Sequence, residues 1–303
     1  MQNSFYRSPL LDATALKWGV YIHMLQTRLL KYAAWMCILT IAKALVCACW
    51  PLALFGIAFF KNAWRRLRVI DLLYAFLHLA DDIVDDDAPV PPGWSSALAY
   101  IERLIHFVTI RDEPQDRLER GLGYVLDLAA GMGMSLTQGI LDILNSMRFD
   151  ATRRSGTELR IVSAAELWHH FHLLDIRGTI TLWLIILRER TEVSDALALL
   201  GEAIRIYYNI RDLEEDMRAR LCNIPREAFA EFGIPVPHNL SPEGVRMWCR
   251  LPQVQAWCAA EKRRGWMLFT MYRGQKSALG LHPFTRGVLT GLFEISATKL
   301  RVV

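Results

Sequence analysis

The spacing of apolar residues constrains the fold of this 303-residue chain more than any other feature of its sequence. After residue 60 the apolar residues recur mainly at three- and four-residue intervals, which is the period of one helix face, and strand-like alternation is hard to find. The clearest run contains Leu67, Ile70, Leu73, Leu77 and Ala80. Hydrophobic residues make up 53% of the chain, so a large core can form. The sequence therefore predicts an all-α bundle.

The domain organisation is predicted from the absence of linkers and repeats in the sequence. No proline-, glycine- or serine-rich linker, internal repeat or low-complexity tract divides it, which favours one large domain. Two amphipathic stretches, near Ser95–Thr109 and Gln115–Leu136, are predicted to be bundle helices whose charges form a solvated face. We predict a single catalytic domain over 51–303 and an N-terminal extension over 1–50.

Net charge and cysteine usage exclude some classes of function. The net charge is only +4, and no basic stripe interleaved with aromatic residues occurs, so nucleic acid is not an expected partner. The six cysteines lack zinc-site spacing and lie mostly in apolar surroundings, which is typical of reduced core residues in a cytoplasmic protein. They are Cys37, Cys47, Cys49, Cys222, Cys249 and Cys258.

An acidic stretch, 81–87, ends the apolar run of the helix that we predict over about 63–86. On that helix Asp81 and Asp85 lie one turn apart on one face, and Asp82 borders them. Like charges at this spacing destabilise a bare helix unless a cation binds them, and carboxylate oxygens suit Mg²⁺. A solvated acidic loop is the alternative interpretation.

A second acidic pair occurs about 130 residues later. Asp212 and Asp216 again stand at i and i+4, on a helix predicted over about 193–220, and Arg205, Tyr208 and Asn209 fall on or beside their face. Two such helices that face each other across a pocket would form a Mg²⁺ site for a diphosphate.

These segments resemble the squalene/phytoene synthase family. YAFLHLADDIVDD is similar to its first aspartate-rich motif, and NIRDLEED followed by IPREAFAEFG is similar to its second. Between them MRFD and RIVSAAEL resemble its linking motifs in the same order. The resemblance runs from about residue 51 to the C-terminus. It implies an isoprenoid-synthase-type helical bundle with a central active-site cavity.

The resemblance also implies roles for particular residues. Five aspartates would hold two or three Mg²⁺ ions, with Asp81, Asp85, Asp212 and Asp216 as the catalytic set and Asp82 as a further ligand. Substrate contacts would come from His78, Arg177, Gly178, Arg205, Tyr208, Asn209 and Arg211. The family's usual residues are altered at several of these positions: His78 replaces an arginine, Arg177 an alanine, Arg205 a glutamine and Tyr208 an asparagine. Near Asn223 a family tyrosine is lost.

The middle of the chain carries further expectations. Asp150 is predicted to be an outer residue of the site or a solvated helix end, and 151–158 a mobile loop. Ser163 and Glu166 form a capping box that starts the next helix. Gly178 falls where the family has a small-residue break that would expose backbone carbonyls to a carbocation. Zinc is disfavoured, because adjacent His169 and His170 cannot share a helix face.

An apolar segment, 33–60, precedes the first motif and is followed by four basic residues, among them Arg65 and Arg66. Its uncharged part is shorter than the roughly 20 residues that span a bilayer, and Pro51 would kink it. Peripheral membrane association and an internal bundle helix are equal alternatives, and a full span is less favoured.

The sequence thus predicts a cytoplasmic or membrane-surface prenyltransferase that joins two prenyl diphosphates head-to-head and releases diphosphate. A class I terpene cyclase that ionises one prenyl diphosphate is the alternative, and a non-catalytic membrane-associated relative is a third. NADPH use is not indicated, and neither substrate chain length nor oligomeric state follows from the sequence.

Overall fold

The structure of the protein is a computed structural model that describes residues 57–156, 158–189 and 195–301. These residues form helices and connecting turns without any strand, which confirms the all-α prediction. They fall into two compact units, divided between Thr137 and Gln138, and the single-domain prediction stays a prediction. The extension 1–50 and most of the apolar segment 33–60 lie outside the described residues.

Within the described residues, the first unit contains three helices. They are α1 (Ile57–Val84), α2 (Ala97–Ile110) and α3 (Arg117–Ala130). Both shorter helices begin at side-chain caps: the Ser96 hydroxyl accepts the N–H of Ala99 at 3.1 Å, and the Asp116 carboxylate accepts the N–H of Glu119 at 2.8 Å. Along α1 the predicted apolar face is buried at Ile70, Leu73 and Ala80.

A buried ion pair joins α2 to α3. The Arg103 guanidinium donates from Nε to Oε1 of Glu119 (2.7 Å) and from Nη2 to Oε2 (2.8 Å), and the Glu119 side chain is fully buried. Asp112 accepts a third bond from Arg103 at 2.6 Å. The prediction that the charges of these helices form a solvated face is therefore wrong at Arg103 and Glu119, because a helical pattern does not reveal which charges are paired.

The second unit is built on helices of more varied length and type. They are α4 (Thr137–Arg154), α5 (Ala164–Phe171), a π-helix (His172–Ile180), α6 (Thr181–Leu187), α7 (Asp195–Arg211), α8 (Leu213–Arg218), α9 (Arg226–Phe232), α10 (Pro242–Cys249), α11 (Pro252–Gln275), α12 (Pro283–Leu289) and short π and 3₁₀ turns to Leu300. The capping box is confirmed, since Ser163 and Glu166 each bond the other's backbone N–H.

Two sequence predictions of element bounds in this unit are wrong. The expected loop 151–158 begins as helix, because α4 continues to Arg154. The expected helix over 193–220 is two helices, because the backbone at Asp212 leaves helical geometry (φ −95°, ψ 4°). Hydrogen bonds from Asp212 N to Tyr208 O (2.9 Å) and from Asp216 N to Asp212 O (2.8 Å) still cross the junction.

Among the described residues, two apolar clusters contribute to the core of the second unit. The larger packs α7 against α11 around Leu197, Leu200, Phe269 and Tyr272. The smaller gathers α8 to α11, with residues such as Met217, Ile224, Val245, Trp248 and Val254. Three of the cysteines, Cys222, Cys249 and Cys258, are free in this smaller cluster, and burial raises the pKa of each to about 11. Their placement agrees with the prediction of reduced core residues.

One described stretch, Ala164–Leu187, is long and apolar enough to cross a membrane by those two criteria alone. It runs through α5, the π-helix and α6. His170 and Asp175 within it make hydrogen-bonded contacts to other helices of the unit. We therefore interpret it as a core helix of the bundle.

Candidate active site

The first acidic motif closes α1. Asp86 adopts the left-handed conformation (φ 60°), and the N–H of Asp87 bonds the carbonyl of Asp82 at 2.8 Å, as in a Schellman end. The helix therefore ends at Val84 rather than near residue 86, but the N–H of Asp85 still bonds the carbonyl of Asp81 at 2.8 Å. The predicted one-turn relation of Asp81 and Asp85 is retained.

The aspartates of this motif differ in exposure. Asp81 is exposed and Asp85 half-buried, whereas Asp82 is buried within the unit. The Asp82 carboxylate faces His78, with 3.9 Å between Oδ1 and Nδ1. His78 and Asp82 are thus neighbours on one helix face, one turn apart.

The second acidic motif lies at the junction of α7 and α8. Arg211 donates from Nε and Nη2 to the two carboxylate oxygens of Asp212, at 2.7 and 2.5 Å. The same guanidinium lies 4.4 Å from the ring centroid of Tyr208. Although partial burial acts against it, the hydrogen bond and charge of Asp212 raise the pKa of Arg211, so the guanidinium stays charged.

The Asp216 carboxylate is oriented by a side chain from the α8–α9 connection. Nδ2 of Asn223 donates to Oδ2 of Asp216 at 3.0 Å. Asn223 itself is buried, at 8% exposure. The position that lacks the family's tyrosine therefore still supplies a hydrogen-bond donor to the motif.

The chemistry of these donors fits Mg²⁺. Within the described residues, no group of three His, Cys, Asp or Glu side chains is close enough to hold a metal ion. Mg²⁺ needs only one or two carboxylates, since water and phosphate oxygens complete its shell. A carboxylate has about four lone-pair sites, so the bonds from Arg211 and Asn223 leave Asp212 and Asp216 able to bind a cation. That both acidic motifs share one site stays a prediction.

A cavity of about 390 Å³ opens in the second unit beside Asn209. Its walls come from α5, the π-helix, α7, α11 and the α8–α9 connection, and they are largely apolar or aromatic. They include Phe171, Trp168, Trp257, Ile176, Ile206 and Ile210. Burial, followed by the charge of Arg177, lowers the pKa of His172 in the wall, which favours a neutral imidazole.

An ion pair between α7 and the π-helix lies in this cavity wall. Arg205 donates from Nε and Nη2 to Asp175, both at 2.7 Å, and its guanidinium lies 4.8 Å from the ring centroid of Phe171. Burial acts against ionisation, but the charge of Asp175 outweighs it and the pKa of Arg205 is raised. The arginine that replaces the family's glutamine is therefore neutralised by its own partner.

The expected break at Gly178 is a π-helix that keeps the chain helical. The hydroxyls of Thr179 and Thr181 donate to the carbonyls of Leu174 and Ile176, at 2.8 and 2.9 Å. These carbonyls are therefore already hydrogen-bonded. Arg177, predicted to contact substrate, has Nε 3.1 Å from Oδ2 of Asp142 and is about half exposed.

Gly178 is required by close packing. A Cβ there would lie 2.3 Å from Cγ1 of Ile143 and 2.7 Å from the carbonyl oxygen of Leu173. We expect Gly178→Ala to lower the free energy of unfolding by about 1–3 kcal/mol, because backbone must shift to accept the methyl group. Gly274→Ala on α11, where a Cβ meets nothing within 4 Å, is the control and should be neutral or slightly stabilising. Equal effects in urea unfolding would contradict this account.

Sequence reasoning missed three residues around the site. Asp175, the partner of Arg205, lies 30 residues before it in the chain, a separation that no local pattern predicts. Arg153 was placed in a loop, yet it is buried at 2% exposure. Asn223 was noted only because a tyrosine of the family is lost near it. A charged residue in an apolar stretch, such as Asp175, was the one available signal.

The model of the family described as Squalene/phytoene synthase matches residues 56–259. Among solved structures, the fold is similar to the crystal structure of a dehydrosqualene synthase in complex with ligand, with a TM-score of 0.59 and 18% identity. That match covers 97% of this chain and 86% of the other. No curated protein sequence matches at a significant level.

The fold is thus of the all-α isoprenoid-synthase type, as predicted. The family match covers more than half of the chain and includes both aspartate motifs. The chain belongs to the squalene/phytoene synthase family, whose members are prenyltransferase-type enzymes of isoprenoid biosynthesis.

Proposed function

We propose that the protein is a Mg²⁺-dependent prenyltransferase that condenses two prenyl diphosphates head-to-head and releases diphosphate. The observation that carries this proposal is the placement of Asp212 and Asp216 in the unit whose cavity is walled by aromatic and aliphatic side chains. A diphosphate needs cations held by carboxylates, whereas a prenyl chain needs an apolar pocket. A prenyl diphosphate has both parts and therefore requires both kinds of site.

The residues have separate tasks in the proposed reaction. Bound Mg²⁺ would supply Lewis-acid stabilisation of the departing diphosphate. Asp212 and Asp216 would hold it, together with Asp81, Asp82 and Asp85 as the resemblance implies. Arg211 would offer a cation to the diphosphate oxygens, and its hydrogen bonds to Asp212 and its position over the Tyr208 ring orient it.

The cavity wall would protect the reactive carbons. Loss of diphosphate leaves a carbocation that water would quench, so an apolar lining preserves it for carbon–carbon bond formation. Phe171, Trp168 and Trp257 present aromatic surfaces that favour a cation. Because Asp175 neutralises Arg205, this pair adds no net charge to the wall.

A class I terpene cyclase is the second candidate, and one observation favours it. The family's glutamine and asparagine before the second motif are replaced by Arg205 and Tyr208, and Arg205 is committed to Asp175. If those positions hold the second diphosphate, their alteration would leave a site for one substrate only.

Product analysis separates the two candidates. The full chain is incubated with single C10, C15 or C20 diphosphates and Mg²⁺, with and without NADPH, and the organic extract is analysed by mass spectrometry. Coupling is expected to give a product of doubled carbon number, with a rate that rises more than linearly with substrate below saturation. A product of unchanged carbon number would contradict coupling and support cyclisation.

We also propose that the protein works in the cytoplasm at a membrane surface, where its oily substrates and products partition. The apolar segment 33–60 and the basic residues after it support this proposal. Sedimentation with anionic liposomes tests it, and a full chain that stays in the supernatant at low salt would contradict it.

A further inference from the structure

Arg153 is the centre of a polar cluster inside the second unit. Its side chain is 2% exposed, and its guanidinium lies 5.1 Å from the ring centroid of Phe149. Nη2 donates to Oδ1 of Asp150 at 2.7 Å and to Oδ1 of Asn223 at 3.0 Å, and Nη1 donates to the carbonyl of Cys222 at 3.1 Å. This buried arginine of α4 therefore holds the α8–α9 connection against its own helix.

Asn223 connects Arg153 to the second acidic motif through two hydrogen bonds. Its Oδ1 accepts from Arg153, while its Nδ2 donates to Oδ2 of Asp216 at 3.0 Å. The amide can satisfy both neighbours in only one orientation, since a flip would set donor against donor and oxygen against carboxylate. Arg153 therefore determines which atom of Asn223 faces Asp216.

Asp150, which accepts a hydrogen bond from Arg153, is in turn held by His170. Nε2 of His170 lies 3.2 Å from Oδ2 of Asp150, and its Nδ1 lies 2.9 Å from the Ser146 hydroxyl. Burial acts to raise the pKa of Asp150, but the charges of His170 and Arg153 outweigh it, so the pKa lies below its usual range. An ionised Asp150 keeps the Arg153 guanidinium in place.

We propose that Arg153 and Asn223 are positioning residues, which hold the Asp216 carboxylate in the orientation that binds the metal–diphosphate complex. Asp150 and His170 support them from α4 and α5. The inference rests on the proposed function, because it requires that Asp216 bind the metal. It adds two residues that act on the metal site through hydrogen bonds to Asp216.

The test measures binding of Mn²⁺, in place of Mg²⁺, together with inorganic diphosphate, by calorimetry and by the electron paramagnetic resonance of bound Mn²⁺. Asn223→Leu and Arg153→Met are each expected to weaken this binding about 10- to 100-fold, as is typical when a partner of a metal ligand is lost. Arg153→Lys should recover part of the affinity, because its ammonium can still donate to Asn223. Arg148→Met, an exposed arginine of the same helix, is the control and should bind like the unmodified chain.

The outcomes separate the two claims. If the unmodified chain binds Mn²⁺ and diphosphate but both variants bind equally well, the positioning role is overturned while the proposed function stands. If the unmodified chain does not bind them, both are overturned. Circular dichroism checks that each variant folds, and only the variants that fold are used to decide the positioning role. If Asn223→Leu and Arg153→Met do not fold, Arg153→Lys decides it, because it is the mildest change.

Discussion

Asp212→Asn and Asp216→Asn are each expected to lower the rate of diphosphate release by about 100- to 1,000-fold, since each removes a charge that would act on the transition state through the metal. Both changes keep the shape of the side chain, so Arg211 and Asn223 retain a neighbour of the same size. The rate is measured by a coupled assay of released diphosphate, at saturating Mg²⁺.

Two controls make this result specific. Glu231→Gln removes one exposed carboxylate from α9 and should leave the rate unchanged. Circular dichroism should show the same helix content for every variant. Diphosphate release that survives either aspartate substitution at the level of Glu231→Gln would contradict the assignment of this motif.

Glu119→Leu is expected to lower the free energy of unfolding by about 3–5 kcal/mol, because it leaves the buried Arg103 guanidinium without its main partner. The double change Arg103→Leu with Glu119→Leu should recover much of that loss, since no charge is then left buried and unpaired. Unfolding in urea, followed by circular dichroism, measures both.

Glu102→Leu provides the matched control for this pair. It makes the same substitution at an exposed position of α2, next to Arg103, and should change stability by no more than about 0.5 kcal/mol. A Glu119→Leu variant as stable as Glu102→Leu would contradict the buried-pair account. So would a double variant whose loss of stability exceeds the sum of the losses in Arg103→Leu and Glu119→Leu.

The fold class followed from the sequence because helical periodicity is a local property. The capping box at Ser163 and the α1 apolar face were predicted correctly, since each depends on residues within a turn of one another. The break at Asp212 was not predicted, because no glycine or proline occurs in the run 206–220 around it. The π-helix near Gly178 differs from the expected break because the hydroxyls of Thr179 and Thr181 bond the displaced carbonyls.

In the candidate site, too, only the features that are local in the sequence were predicted. The aspartates were found from their spacing, and Arg211 beside Asp212 was found with them. The partners that come from distant parts of the chain were not found. Arg153 and Asn223 are 70 residues apart, and Arg205 and Asp175 are 30 apart. Pairing across such separations depends on how helices pack, which no local pattern records.

The central claim is that this chain ionises a prenyl diphosphate with the help of Mg²⁺, and one measurement tests it most directly. The unmodified full chain is mixed with a C15 or C20 diphosphate, and released diphosphate is measured with Mg²⁺ and again after addition of EDTA. The account predicts release with Mg²⁺ that stops in EDTA and resumes when Mg²⁺ is restored. No release with Mg²⁺ on any chain length, or release that persists in EDTA, would contradict it.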